Sequence, residues 1–137
     1  MNLHRPTQRR HEKGLSLVEM SLVIALMLGL ATIVTYSISG VLDWKLGRDA
    51  TEKLRAVYIA QKSFLADRPS KSFSTFTSAE LIPYLPGNPG VMPSATAVNG
   101  QVLALNFTSL PPFYMVGGQR YDPTGSQTDG IWDVGTL

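Results

Sequence analysis

The stretch MSLVIALMLGLATIVTYSISGVL, residues 20–42, carries no charged side chain. Crossing the hydrocarbon core of a bilayer takes about 20 consecutive apolar residues. Leu, Met, Ala and Ile dominate its first half, which reads as helix. Gly29 and Gly40 are its weak points, since an interior Gly costs about 1 kcal/mol relative to Ala. In lipid both are tolerable, and small residues let helices approach closely.

Downstream of Leu42 the pattern changes without a break. Ala50, Leu54, Val57, Tyr58, Gln61, Phe64 and Leu65 recur at helical spacing, with only Gln61 polar. Asp49, Glu52, Lys53, Arg55 and Lys62 fall on the other faces. One helix is therefore expected from residue 15 to about 67. It is apolar all round at first and one-faced later, a membrane stem that continues as the spine of a small domain. Asp67-Arg68-Pro69-Ser70 ends it.

The remainder alternates turns and short elements. Thr77-Ser78-Ala79-Glu80 is a capping-box pattern, predicting a short helix over about 78–85 that Pro86-Gly87 stops. Residues 86–100 hold three Pro and three Gly and read as an irregular connection. QVLALNFTSL (101–110) sets Leu103, Leu105 and Phe107 on one face and Val102, Ala104 and Asn106 on the other, as in a strand. FYMVGGQRYD (113–122) predicts a second strand with Gly117-Gly118 as a bulge or turn. IWDVGTL (131–137) predicts a last short strand. A long helix followed by an antiparallel sheet is an α+β arrangement. The expected organisation is a leader over 1–14, an apolar helix over 15–42 and an α+β globular domain over 43–137.

The net charge of +2 hides an asymmetry. Residues 1–14 carry Arg5, Arg9, Arg10 and Lys13 against Glu12, whereas residues 15–137 are net −1. The basic character thus belongs to the leader. By the positive-inside rule it keeps the N-terminus cytoplasmic and sends the domain across the membrane. The domain has no basic stripe, so no nucleic-acid partner is expected. Cysteine is absent, so the fold relies on packing or a bound ion. The apolar block exceeds the 7–15 or so residues of a secretory h-region and lacks an A-x-A site. A cut before the block, or none, fits better than an ordinary signal peptide.

Little in the chain suggests catalysis. The histidines, His4 and His11, lie in the leader, and no phosphate loop, zinc spacing or nucleophile elbow is present. No enzymatic activity is expected. Asp122, Asp129 and Asp133 read either as solvated loop acids, with Asp122-Pro123 and Asp129-Gly130 as turn formers, or as oxygen ligands of a calcium loop, although their spacing is not that of an EF-hand. Phe107, Phe113, Tyr114, Tyr121 and Trp132 read either as a ligand platform or as the face that covers Leu54, Val57 and Phe64.

KGLSLVEMSLVIALMLGL (13–30) resembles the N-terminal signal of type IV pilins and type II secretion pseudopilins. A basic leader ends in Gly14, an apolar residue follows, and Glu19 stands inside a long uncharged helix. The resemblance covers about residues 9–38 closely and the rest at the level of architecture. It implies cleavage after Gly14 by a prepilin peptidase and N-methylation of the new terminal residue, Leu15. It also implies extraction from the bacterial inner membrane into a periplasmic or cell-surface filament. The implied partners are other pilin or pseudopilin subunits, an assembly platform and a cytoplasmic ATPase. Departures are Leu15 where the family commonly has Phe, no Pro between Pro6 and Pro69, no disulfide, and a long leader. They lean toward a minor pilin or pseudopilin.

Within such a filament a buried carboxylate needs a partner. Cleavage after Gly14 creates an α-amine at Leu15 close to Glu19, in the same chain or a neighbour. A simpler role for Glu19, compatible with the first, is an acid at the positive end of the helix dipole. Two rival readings share the stem. One is a single-pass anchored binding module that never polymerises. The other is a filament-tip adhesin or DNA-uptake subunit.

Overall fold

The structure, a computed structural model, describes Gly14 and residues 16–136. It is an α+β fold in which a long N-terminal helix packs against a small antiparallel sheet. Helix α1 spans Leu17–Asp67, 51 residues without interruption. A 3₁₀ turn (Phe73–Thr75) precedes α2 (Ser78–Leu81), which continues as a second 3₁₀ turn (Ile82–Tyr84). Strands β1 (Ala95–Thr96), β2 (Val102–Asn106), β3 (Phe113–Val116) and β4 (Gln119–Arg120) follow. They pair antiparallel in the order β1-β2-β3-β4. The chain divides into two units, one ending at Ile38 and one beginning at Ser39.

In the first unit the described part of α1 exposes its apolar side chains, among them Leu22, Leu26, Leu30 and Ile33. Three of its hydroxyls bond back to the helix backbone. Ser21 Oγ donates to the Val18 carbonyl, Thr32 Oγ1 to Leu28 and Thr35 Oγ1 to Ala31, each at 2.9 Å. Returning such groups to the helix backbone removes their demand for water.

The second unit has its core along one stripe of α1. Ala50 and Leu54 pack with Leu103, Tyr114, Trp132 and Val134. Val57 and Ala60 meet Leu85, and Phe64 meets Phe76 and Leu81. Leu103 and Leu105 take the helix-facing side of β2 and Phe107, just past its end, packs on the same side, as their alternation predicts, while Val102 and Ala104 are exposed. Gln61, fully buried, donates through Nε2 to the carbonyls of Phe107 (2.7 Å) and Ser109 (2.9 Å) just beyond β2. The one polar member of the stripe thus satisfies backbone groups that no strand reaches.

The turns follow their residues. Gly117-Gly118 is the two-residue turn joining β3 to β4, with φ of 59° and 82°. Positive φ at both central positions matches the strand twist and favours glycine. Residues 86–100, read as wholly irregular, also contain β1. The Ala97 N–H donates to Gln101 and the Gly100 N–H to Ala97, closing a β1–β2 hairpin. The predicted helix over 78–85 is split, α-helical to Leu81 and 3₁₀ beyond, with Pro83 in the second part.

Two expectations need correction. IWDVGTL forms no strand over its described residues, 131–136. Trp132 has φ 69°, and Gly130 and Gly135 have φ of 72° and 76°, values an extended strand does not allow. The segment hydrogen-bonds to α1 instead. The Trp132 N–H donates to Gly47 O at 3.2 Å. Gly130 O accepts from Thr51 Oγ1 (2.9 Å) and Arg48 (3.3 Å), and Val134 O accepts from Arg55 Nε (2.9 Å). Phe113, grouped with the core aromatics, does not join Tyr114 in the core. Neighbours on a strand point to opposite faces. Tyr114 is buried among Ala50 and Leu54, while the Phe113 ring lies under the Arg120 guanidinium at 5.4 Å.

Candidate functional site

The candidate site is the start of α1. Gly14 is exposed and outside the helix. Leu15 and the leader 1–13 lie outside the described residues. Glu19 sits in the first turn of α1 and is exposed. Its carboxylate accepts from the Ser16 N–H at 2.8 Å, and Ser16 Oγ accepts from the Glu19 N–H at 3.2 Å. That reciprocal pair is a capping box. It satisfies two of the amide groups that the first turn of a helix leaves unpaired.

Sequence reasoning missed Ser16, although the same S/T-x-x-E signal was read at Thr77. The cap signal, Ser16-Leu17-Val18-Glu19, is embedded in the start of the apolar run. Glu19 therefore has a partner within its own first turn. The pattern places the helix start at Leu17, so Gly14 precedes it by three positions.

Beyond the cap, α1 is uncharged through Leu42 and exposed throughout. It is the one helix among the described residues that is long and apolar enough to cross a membrane, and it lies near the N-terminus. The lines of apolar side chain leave a shallow groove beside Gly29, walled by Leu22, Leu26, Leu30 and Ile33. A Cβ on Gly29 would meet nothing within 4 Å.

The three aspartates do different things. Asp122 Oδ1 accepts from the Thr124 N–H (3.1 Å) and hydroxyl (2.7 Å), holding a turn. Asp129 Oδ1 accepts from the Ile131 N–H at 2.9 Å. Asp133 is buried, and its Oδ1 accepts from the Gly130 N–H (3.1 Å) and from the Gly135 N–H. Burial pushes the Asp133 carboxyl above its ordinary range. The two backbone bonds oppose that shift and neighbouring Asp129 adds to it. Among the described residues no group of three or more His, Cys, Asp or Glu is placed to hold a metal ion. All three accept from backbone amides in tight turns, but Asp133 is buried and so departs from the solvated loop acid expected at each position.

Of the five aromatics, Tyr114 and Trp132 are buried, while Phe107 is partly exposed and lines an open pocket with Leu103 and Leu105. The Tyr121 and Trp132 rings meet edge to face at 5.1 Å, and Phe64 meets Phe76 and Tyr84 similarly at 4.7 and 5.6 Å. The Tyr114 hydroxyl is raised well above the usual phenol range by burial, with Asp49 contributing.

No protein-family model matches the chain, and neither does any curated protein or solved structure.

Proposed function

We propose that the chain is a structural subunit, a minor pilin or pseudopilin. In this reading it is made as an inner-membrane precursor, cut after Gly14 and assembled into a filament through the apolar part of α1. The observation that carries it is the order of features at one end of a single helix. An exposed, non-helical Gly14 comes first, then a capped acid at Glu19, then an uncharged, exposed run to Leu42. Gly14, on the leader side of the bond to be cut, is exposed and outside the helix. An exposed apolar helix face is stable only in lipid or against other apolar surface. Membrane insertion before assembly and helix packing afterwards supply the two in turn.

Glu19 then has two successive partners. In the precursor, the Ser16 amide takes one carboxylate oxygen. After cleavage, the new amine of Leu15, or that of a neighbouring subunit, supplies the positive charge. In a medium of low dielectric an unpaired carboxylate is costly, so the amine sets subunit register as well as neutralising charge.

The test is the N-terminal mass of the protein in membranes and in sheared filaments. A mature chain beginning at Leu15, with one added methyl, is the expected result. An intact leader in both fractions rejects the reading and favours an anchored binding module. Glu19→Leu is expected to be cut and inserted normally yet to give few or no filaments. Filaments at normal yield from that variant reject the role given to Glu19.

A further inference from the structure

Past Leu42, α1 continues through Asp43, Trp44 and Lys45 into the second unit. Trp44 is an anomaly there. The other tryptophan, Trp132, is buried in the core, but Trp44, one turn ahead of buried Gly47, is 53% exposed. It is not loose, however. The Arg48 guanidinium lies over its ring at 5.8 Å and also donates to Gly130 O at 3.3 Å. A cation fixed to the C-terminal segment thus holds the indole against the helix surface. Lys45 beside it is exposed and has no ion-pair partner among the described residues. The nearby acids are exposed Asp43 and Asp49, and Asp49 is engaged by Lys53 at 2.6 Å.

Length decides what this pair faces. At 1.5 Å per residue, the uncharged block 20–42 covers roughly 35 Å, against a hydrocarbon thickness of about 30 Å. Trp44 and Lys45 then fall just beyond the far hydrocarbon edge. Indoles are enriched at that depth, with an apolar ring toward the acyl chains and an N–H toward the headgroups. A lysine ammonium at the same level is attracted to phosphate, and its methylene stem lies along the apolar boundary.

We propose that Trp44 and Lys45 form an interfacial anchor that binds phospholipid headgroups of the extracytoplasmic leaflet. The Trp44 ring sits at the acyl–headgroup boundary and the Lys45 ammonium on a lipid phosphate. Arg48 ties this level to the C-terminal segment at Gly130. The anchor rests on the membrane-spanning reading of α1 and adds to it the depth at which the domain begins.

The experiment uses the full-length protein in vesicles of phosphatidylcholine and phosphatidylglycerol, first floated on a density gradient. Tryptophan emission is then compared with bromine placed either near the glycerol end of the acyl chains or at mid-chain. The Trp44→Phe variant isolates the contribution of buried Trp132. The expected result is at least about twofold stronger quenching of the Trp44 component by shallow bromine than by mid-chain bromine, with little quenching by aqueous iodide. Lys45→Gln is expected to weaken the preference for phosphatidylglycerol without changing flotation. Flotation with iodide quenching, with strongest mid-chain quenching, or with no quenching at all overturns the anchor alone. The last of these means that protein covers the ring. Failure to float overturns the membrane-spanning reading and the anchor with it.

Discussion

Gly47 shows how one residue sets where two parts of the chain touch. Its carbonyl accepts from the Trp132 N–H, and a Cβ there would come within 2.8 Å of Trp132 Nε1 and closer still to Ile131 Cγ2. Gly47→Ala gains helix propensity of about 1 kcal/mol but overpacks a site where such insertions cost about 1–3 kcal/mol. A net loss of about 1 kcal/mol is expected, read as a lower thermal midpoint, and Gly40→Ala, whose Cβ meets nothing, serves as the control. Asp133 makes the opposite case. Because its folded carboxyl titrates above the ordinary value, stability is favoured while it is protonated and declines as pH rises through the raised value. Asp133→Asn keeps an oxygen for the Gly130 and Gly135 amides and removes the buried charge. Its thermal midpoint is expected to exceed wild type at pH 7, with the difference vanishing in acid. A midpoint below wild type at pH 7 shows that the charge is useful. Both positions were invisible as such in the sequence. Gly47 looked like any helical glycine, and Asp133 like one of three loop acids.

At the scale of elements, α1 and α2 were legible because their signals are local. The switch from an all-apolar run to a one-faced stripe is a periodicity, and so is the alternation of β2. The cap of α2 is a four-residue pattern that the fold uses as written. Glu80 accepts from the Thr77 N–H at 3.1 Å and pairs with Lys71. The Lys71 ammonium first, and the Thr77 backbone and side-chain bonds next, hold its carboxyl at about 2 instead of 4.5. A depressed carboxyl contributes stability above its unfolded value and loses that contribution as pH falls through the folded one. Unfolding followed from about pH 4.5 down to about 2 is therefore expected to show a loss that Glu80→Gln lacks. Identical pH profiles for the two proteins would remove Glu80 from the account. The last segment, 131–136, departs from its local pattern. Its apolar residues suit a strand, but left-handed positions at Gly130, Trp132 and Gly135 depend on what Asp133 and α1 hold in place.

The whole molecule divides at Ser39, and the second unit contains all three clusters of buried apolar residues. A unit with its own core folds as a unit. A fragment of residues 43–137 is expected to be soluble and to unfold in one cooperative transition, with coincident far-UV and tryptophan signals. Two separate transitions, or no transition, would show that the core needs the apolar half of α1. The candidate site belongs to the first unit. Its acid and its glycine were legible because the leader, the Gly and the uncharged run stand in register along one short stretch.

The sequence by itself determined the long helix, the α+β order, the face of β2 that turns inward, and the placing of Gly14 and Glu19 at the head of an apolar run. Those features depend on spacing and on the chemistry of adjacent residues. Only the tertiary structure decided that the C-terminal segment hydrogen-bonds to α1 at Gly47, Thr51 and Arg55, that Phe113 is turned away from the core, and that Arg48 joins Trp44 to Gly130. The residues involved are separated by about 80 positions in the chain. Their contacts depend on how the backbone between them closes, which no local pattern encodes.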